Sequence, residues 1–429
     1  MTGTLRLGVA GLGTVGAGVL TFLQGSPAFA PGGARVEVTA VSARSRNRPR
    51  PVDISAMAWF DDPVELARSP DIDVFVELIG GSDGPAKVAV ETALKLGKPV
   101  VTANKALVAE HGADLARIAE AAGAQLLFEA AVMGGAPAVK MLRESLLGER
   151  ISSLAGILNG TCNYILSEME SSGRDFAAVL ADAQRMGYAE ADPTMDVGGF
   201  DAGHKISILA ALAYGGAPDF SGATIEGIDT VQILDIRMAY DLGYRIRLIA
   251  SAIRDGEATL VRVRPTLVPK DHPLGLTIGP TNALFVEGSR IGRLFLQGPG
   301  AGAGPTAAAV VADIADVLAN ARRPVFQKPA TELSVTRTSS ETTSKHRAYV
   351  RVRLKDEPGA IASVSEILAD SGVSIDSLLQ KPAGGGAGVP IVLITHEASE
   401  AALRSVVSSM ETLSTVVEPP QMFFLADVS

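Results

Sequence analysis

Leu5 to Val19 read LRLGVAGLGTVGAGV. Leu5 to Ala10 is a short apolar run of the kind that forms a buried strand, and a helical pattern continues to about Leu23. Between the two stand Gly11, Leu12, Gly13, Thr14, Val15 and Gly16, which fit G-x-G-x-x-G. The first glycine permits the tight turn, the second lets backbone approach a pyrophosphate, and the third allows the helix to close on the strand. The N-terminus of the helix then faces the phosphates with the positive end of its dipole. A bare glycine pattern says little, but this one lies between a strand and a helix. The expectation is a dinucleotide site rather than a merely structural turn.

Working outward, Val36 to Val41 is a second strand, and Val74 to Ile79 a third that leads into Gly80-Gly81-Ser82. A helix over Pro85 to Leu96, a strand over Pro99 to Thr102, a helix over Glu110 to Ala122 and a strand over Gln125 to Glu129 follow. Strands alternating with helices specify a doubly wound parallel sheet of the Rossmann type. Coenzyme choice is written at the end of the second strand, where an NAD site wants an acid for the ribose 2′-hydroxyl. Here stand Arg44 and Arg46 and no acid, so NADP(H) is preferred and NAD(H) stays open. Solvated arginines on a surface loop would look the same. Lys105 follows the strand ending at Thr102 and is expected to point into the coenzyme crevice.

After Gly134-Gly135 the pattern changes. A helix over 137–147, a strand from Ile151 to Leu158 and a turn at Asn159-Gly160 come first. Strand-like runs at 225–234, 245–252, 259–267 and 283–297 then predict a mixed or antiparallel sheet. Gly298 to Thr306 reads GPGAGAGPT ahead of a long helix from Pro305. It either returns to the coenzyme crevice or is an interdomain turn. Arg322 to Lys345 is polar and aperiodic, which reads as a linker. The segment from 346 to 429 begins with an alternating strand, then a DEPGA turn and an amphipathic helix from Ile361 to Ser371, the start of a small α+β module.

Tyr188 to Lys205 read YAEADPTMDVGGFDAGHK, just ahead of the apolar ISILAALAY. Glu190, Asp192 and Asp196 fall among Pro193, Gly198 and Gly199, which is loop chemistry. Asp201 and Lys205 stand four apart where a helix begins, so they share a face. An acid and a proton donor on a helix, with further acids on the loop before it, suit an amino-acid substrate. A weak surface ion pair would leave the same trace.

The 429 residues allow two or three domains, and 47% hydrophobic with 20% charged residues fits a globular protein. The net charge of −9 argues against nucleic acid and against an anionic membrane surface as partners. No apolar run reaches the ~20 residues of a membrane span. The first residues lack a long apolar core and read as a mature N-terminus. One cysteine, Cys162, excludes an internal disulfide framework, and five scattered histidines offer no zinc spacing. A cytoplasmic location is the expectation.

Taken together, GLGTVGAGV (11–19), VVTANKALVAEHG (100–112), FEAAVMGGAP (128–137), LNGTCNYIL (158–166), the tract through Lys205 and GPGAGAGPT (298–306) resemble homoserine dehydrogenase in order and spacing. DEPGAIASVSEILADSGVSI (356–375) resembles an ACT module. The resemblance implies a Rossmann domain over 1–135 completed by a helix at 305–320, an α+β substrate-binding and dimerisation domain over 136–304, a linker over 322–345, and a regulatory ACT-like domain over 346–429. It implies reversible NAD(P)H-dependent reduction of L-aspartate 4-semialdehyde to L-homoserine, on the way to threonine, methionine and isoleucine. By position, Lys205 corresponds to the proton donor, Asp201 to the acid one turn before it, and Lys105 to a lysine touching coenzyme near the reacting carbon. Glu190 corresponds to the carboxylate for the substrate's amino end, and Asp196 to a second substrate-side acid. Gly300 and Gly302 match the glycine loop on the nicotinamide side. A monovalent cation, usually sodium, would be held by Glu129 and by carbonyls of Val132, Gly134 and Ala136. Alanine replaces a frequent isoleucine at the last position, without effect on a carbonyl ligand. A homodimer or homotetramer and a threonine effector are also implied. Two rivals remain: a thioester-forming semialdehyde dehydrogenase using Cys162, and a non-catalytic dinucleotide and amino-acid sensor.

Overall fold

A computed structural model of the protein describes residues 4–25, 35–255, 258–334, 345–380 and 388–426. The first third is β1 (Thr4–Ala10), α1 (Thr14–Gly25), β2 (Arg35–Ser42), β3 (Ala58–Phe60), α2 (Pro63–Arg68), β4 (Val74–Glu77), α3 (Pro85–Lys95), β5 (Val100–Thr102), α4 (Lys105–Ala121) and β6 (Leu126–Leu127). The strands form one parallel sheet in the order β3-β2-β1-β4-β5-β6. β4 and β5 are wholly buried, as unbroken apolar runs in a sheet covered on both faces should be. The order reverses at β1, which pairs with β2 on one side and β4 on the other. A crevice therefore opens beyond its carboxyl end, where Gly11 lies.

Three boundaries differ from the sequence reading for local reasons. β4 stops at Glu77 rather than Ile79, because the buried Glu77 carboxylate accepts the backbone N–H groups of Ile79 and Gly80 at 2.7 and 3.0 Å. α4 starts at Lys105 rather than Glu110, since Asn104 caps it by accepting from Leu107 N at 3.1 Å. Gln125 to Glu129 yields only the two-residue β6 before a turn of 3₁₀ helix over Glu129–Ala131. β3 and α2 are further elements between β2 and β4, with Asp62 capping α2 by accepting from Val64 N at 2.8 Å.

The middle of the chain is α5 (Ala138–Lys140), β7 (Ile151–Ile157), α6 (Gly160–Ser172), α7 (Phe176–Arg185), α8 (Thr194–Val197), α9 (Phe200–Tyr214), β8 (Thr224–Ile225), α10 (Ile233–Asp241), β9 (Tyr244–Asp255), β10 (Ala258–Pro269), α11 (Pro273–Leu276), β11 (Thr281–Gly288), β12 (Gly292–Pro299) and α12 (Ala303–Leu318). Its strands run β12-β11-β7-β9-β10, each antiparallel to the next. α9 is buried from Asp201 to Leu212, wedged between this sheet and α4, which explains an apolar run with no polar face. α12 returns to the first sheet and packs on α1. A Cβ on Gly18 would lie 2.6 Å from the Ala303 carbonyl oxygen, so glycine permits that close approach.

The expected helix at 137–147 is broken after α5 by a π turn, Met141–Ser145. The run at 225–234 is mostly not a strand. β8 takes two residues, and α10 begins where the Asp235 carboxylate reaches back to Gln232 N at 3.1 Å. The run at 283–297 is a hairpin, β11 and β12, closing at Gly288 and Gly292.

The C-terminal part is β13 (Lys345–His346), β14 (Ala348–Leu354), α13 (Ala360–Asp370), β15 (Ile375–Gln380), β16 (Val389–Thr395), β17 (Ala398–Ser399), α14 (Glu400–Glu411) and β18 (Val416–Leu425). β18-β14-β16-β15 continue the middle sheet, because β18 pairs in parallel with β10 through Thr266–Phe424 and Leu267–Leu425. Arg351 on β14 reaches across this seam to the Asp235 carboxylate at 2.6 Å, and Tyr349 donates to the same carboxylate at 3.0 Å. All three side chains are buried. Within the stretch expected as a linker over 322–345, Val325, Phe326 and Ala330 are buried, and Phe326 packs on Phe128. Apolar residues within a polar stretch carried that contact. Residues 335–344 lie outside the described ones.

Candidate active site

A cleft of about 700 Å³ opens at the carboxyl end of β1, lined by Gly11, Leu12 and Gly13 on one wall and Leu78, Ile79 and Gly80 on another. Gly11 has φ +101, and a Cβ there would meet the Leu78 carbonyl oxygen at 2.3 Å. A Cβ on Gly16 would lie 2.0 Å from the Gly11 carbonyl oxygen. A Cβ on Gly13 would meet nothing within 4 Å, so protein packing does not demand glycine there. A pyrophosphate drawn close to the backbone does demand it. Thr14 and Val15 open α1 beneath that position. The glycine loop thus fits a dinucleotide.

Beyond β2 the cleft is lined by Arg44, Arg48 and Arg50. Arg50 is occupied with the loop itself, donating to the carbonyls of Ser45, Arg46 and Arg48 at 2.5, 3.1 and 2.9 Å. Arg46 and Arg50 stack over Trp59. Arg44 stands exposed at the rim, available to a phosphate.

The second glycine loop lies against the same half of the molecule. Gly302 is the N-cap of α12, with φ +122. Gly300 leaves no room for a side chain beside Asn282, and its carbonyl oxygen faces Gly134. Of the two readings of Gly298 to Thr306, a return toward the coenzyme helix is the one realised, since Ala303 touches Gly18.

The lysines meet at one carboxylate. Lys205, buried on α9, donates from Nζ to the Leu158 carbonyl at 2.7 Å and to Asp201 Oδ2 at 2.8 Å. Lys105, the first residue of α4, lies 3.1 Å from Asp201 Oδ1. Burial alone would raise the Asp201 pKa, but the two ammonium groups hold it well below the usual range. The Asp201 charge is also the largest influence holding the Lys105 ammonium above its ordinary value, against the cost of burial. Two-fifths of the Lys105 side chain stays exposed while Lys205 is enclosed, so one lysine can face the mouth and the other the interior.

Asp196 accepts from Asn159 Nδ2 at 2.7 Å. Burial pushes its pKa up, opposed by that hydrogen bond and reinforced by Asp201. Glu190 is exposed on the loop before α8, near enough for its charge to support Lys105. The Cys162 thiol donates to the Asp196 carbonyl at 3.1 Å, and complete burial pushes its pKa well up. That is the opposite of an activated nucleophile. The thioester rival loses its reactive group.

Several contributors escaped the sequence reading. Asn159 was read as a turn residue, yet its side chain bonds both Asp196 and Asp201. Leu158 contributes a carbonyl, which no side-chain pattern reveals. Glu77 accepts from Thr102 Oγ1 at 2.5 Å and ties the ends of β4 and β5 together below the cleft. Asn104 ties α4 to the Gly81 carbonyl at 2.7 Å. An acid at a strand end followed by glycines was the available signal for Glu77.

Glu129 is buried, and its carboxylate caps α5 by accepting from Val139 N and Lys140 N at 3.2 and 2.6 Å. Burial, then the charge of Asp313, pushes its pKa up to about 8. Val132, Gly134 and Ala136 follow within one turn-rich segment, and all three are buried. An acid and backbone carbonyls form a hard, all-oxygen donor set, which fits a group-one cation.

The chain matches the family described as homoserine dehydrogenase over residues 137–315, its NAD-binding domain over 11–129, and the ACT domain over 348–414. It is 42% identical over 428 residues to homoserine dehydrogenase of Neisseria gonorrhoeae, covering 97% of this chain and 98% of that one. The crystal structure of a homoserine dehydrogenase from Thiobacillus denitrificans superposes with a TM-score of 0.90 at 40% identity, over 99% of this chain and 98% of that one. A hyperthermophilic archaeal homoserine dehydrogenase in complex with NADPH matches with a TM-score of 0.65 at 26% identity, over 74% of this chain and 98% of that one. With the glycine loop, the paired lysines and the C-terminal module all within matched segments, this chain belongs to the homoserine dehydrogenase family.

Proposed function

We propose that Lys205 is the proton donor with which this enzyme reduces L-aspartate 4-semialdehyde to L-homoserine, and that NADP(H) is its preferred coenzyme. The observation that carries the first part is the pair of hydrogen bonds fixing the Lys205 ammonium on Leu158 and Asp201. An ammonium has three N–H donors, so one remains for the substrate oxygen. When bound, the reduced nicotinamide supplies the hydride. Negative charge then builds on the aldehyde oxygen, and Lys205 delivers a proton to it. In the oxidation of homoserine the same amine receives the hydroxyl proton. Asp201 stays ionised throughout, keeps Lys105 charged and holds both lysines in place. Lys105, at the open side, faces coenzyme and substrate together. Glu190 and Asp196 supply negative charge for the substrate's α-ammonium group, which accounts for the acids of that loop.

Support for NADP(H) is the exposed Arg44 at the cleft rim and the lack of an acid at the end of β2. Loss of absorbance at 340 nm with the semialdehyde, run with NADPH and NADH in parallel, tests the coenzyme reading. Glu129 with the carbonyls of Val132, Gly134 and Ala136 would hold a sodium ion, which would neutralise the buried acid and brace the turn. The domains would divide at 135, with α12 completing the coenzyme half, and again ahead of 346. The free edge of β12 at the end of the sheet suits pairing between copies, as homodimer or homotetramer. The ACT domain suits an amino-acid effector, threonine being the one tested first, by titration into the full-length enzyme. A cytoplasmic location accords with a single buried cysteine.

A further inference from the structure

Asn159 occupies the junction between the end of β7 and the start of α6, and its buried side chain spends every polar atom inside the site. Oδ1 accepts from Cys162 N at 2.8 Å, capping α6. Nδ2 donates one hydrogen to Asp196 Oδ1 at 2.7 Å and the other to Asp201 Oδ2 at 2.8 Å. The cap fixes which way the amide faces, because a flipped amide would aim its oxygen at two carboxylates. The residue before it, Leu158, anchors Lys205 through its carbonyl. Two consecutive residues at one strand end thus hold the proton donor and both acids.

We infer that Asn159 is a positioning residue, a neutral double donor that lets Asp196 and Asp201 carry charge side by side and holds the substrate-side acid in register with the lysine-side acid. Two carboxylates in one enclosed site repel, and without a shared donor one takes up a proton. Asp201 has Lys205 and Lys105 to keep it ionised; for Asp196 the Asn159 hydrogen bond is the largest influence in that direction, ahead of the charges of the same two lysines. The groups facing Asp196 are Asp201 and Lys205 from α9, Lys105 from α4 and Cys162 from α6. Loss of the amide removes the largest influence opposing burial and the Asp201 charge, leaving only the two lysine charges, and tips Asp196 toward protonation and away from the negative charge meant for the substrate's ammonium. This rests on the homoserine dehydrogenase reading for the identity of that substrate.

Asn159→Asp keeps an oxygen to cap α6, removes both donors and adds a third negative charge, whereas Asn159→Ser keeps a cap and one donor without adding charge and so isolates the loss of the amide. The expected result for Asn159→Asp is a Michaelis constant for homoserine raised about tenfold or more. The acid limb of kcat/KM should move up by about one pH unit, with NADPH binding unchanged. The serine variant is expected between it and the parent, and it supplies the same comparison if the aspartate variant does not fold. Titration of ¹³C-labelled aspartate carboxyls in the substrate-free protein should show the Asp196 midpoint rising in both variants. An Asp196 midpoint and an acid limb that stay where the parent has them would overturn the inference. A parent protein that fails to oxidise homoserine would sink the functional reading instead, and the carboxyl titration would still decide the role of Asn159.

Discussion

Lys105 and Asp201 meet at 3.1 Å across the boundary between the parallel sheet and the antiparallel one. One is the first residue of α4, the other lies in the first turn of α9, so two helix starts from two layers converge on one ion pair. Neutralising Asp201 tests the pair. The Lys105 ammonium is held above its ordinary value chiefly by the Asp201 charge, so Asp201→Asn lets it lose its proton at lower pH. The alkaline limb of kcat/KM should shift down, and turnover at neutral pH should fall about 10²-fold. A pH–rate profile with the limb unmoved would separate Lys105 from Asp201.

Lys205→Ala removes the proton donor while Lys105 still accompanies Asp201. Turnover should fall ~10²–10⁴-fold. NADPH affinity, read by quenching of protein fluorescence, should stay near the parent value, because Lys205 is enclosed in the substrate half. Most of kcat surviving would move the role to Lys105 or to water.

Arg44→Ala should weaken NADPH more than NADH. A charge-assisted contact to the 2′-phosphate is worth about 1.5–3 kcal/mol, or roughly 10–100-fold in affinity. Equal losses for the two coenzymes would mean that Arg44 does not read the 2′-phosphate.

Arg351→Ala strips the buried Asp235 carboxylate of its ionic partner. Burial already pushes that carboxyl up despite Arg351. The cost should be about 3–5 kcal/mol, since a buried charge is left unpaired. Denaturant unfolding reads it directly, and a change below about 1 kcal/mol would show that water reaches the seam.

Sodium chloride should raise the melting temperature above that in tetramethylammonium chloride at equal ionic strength, because a ligand that binds only the folded state stabilises it. Glu129→Gln should abolish the difference. Identical curves for the two salts in the parent enzyme would remove the cation from the account.

Much of this architecture was legible because its signals are local. β1, the glycine loop and α1 announce themselves within fifteen letters, and the spacing of Asp201 and Lys205 survives unchanged into α9. What could not be read depends on partners distant in sequence. Lys105 looked like a lone strand-end lysine until α9 brought Asp201 to it. Asn159 carries no sign that Asp196 and Asp201 will share its amide. Residues 225–234 are rich in β-formers, yet β8 stops at Ile225, and Asp235 reaching back to Gln232 starts a helix at Ile233. Phe326 hid in a polar stretch because the ring it packs on, Phe128, lies far away in sequence.

The parallel seam between β10 and β18 has a consequence for how the chain is made. β18 emerges from the ribosome after every other described strand of its sheet, while β10 and its buried Arg262 are complete much earlier. Until Phe424 and Leu425 arrive, Thr266 and Leu267 present an unpaired edge, and Asp235 waits for Arg351. Edges of this kind invite pairing with the wrong strand, and contacts so distant in sequence form slowly. Synthesis of the ACT module therefore ends a period of vulnerability in the part of the sheet made before it.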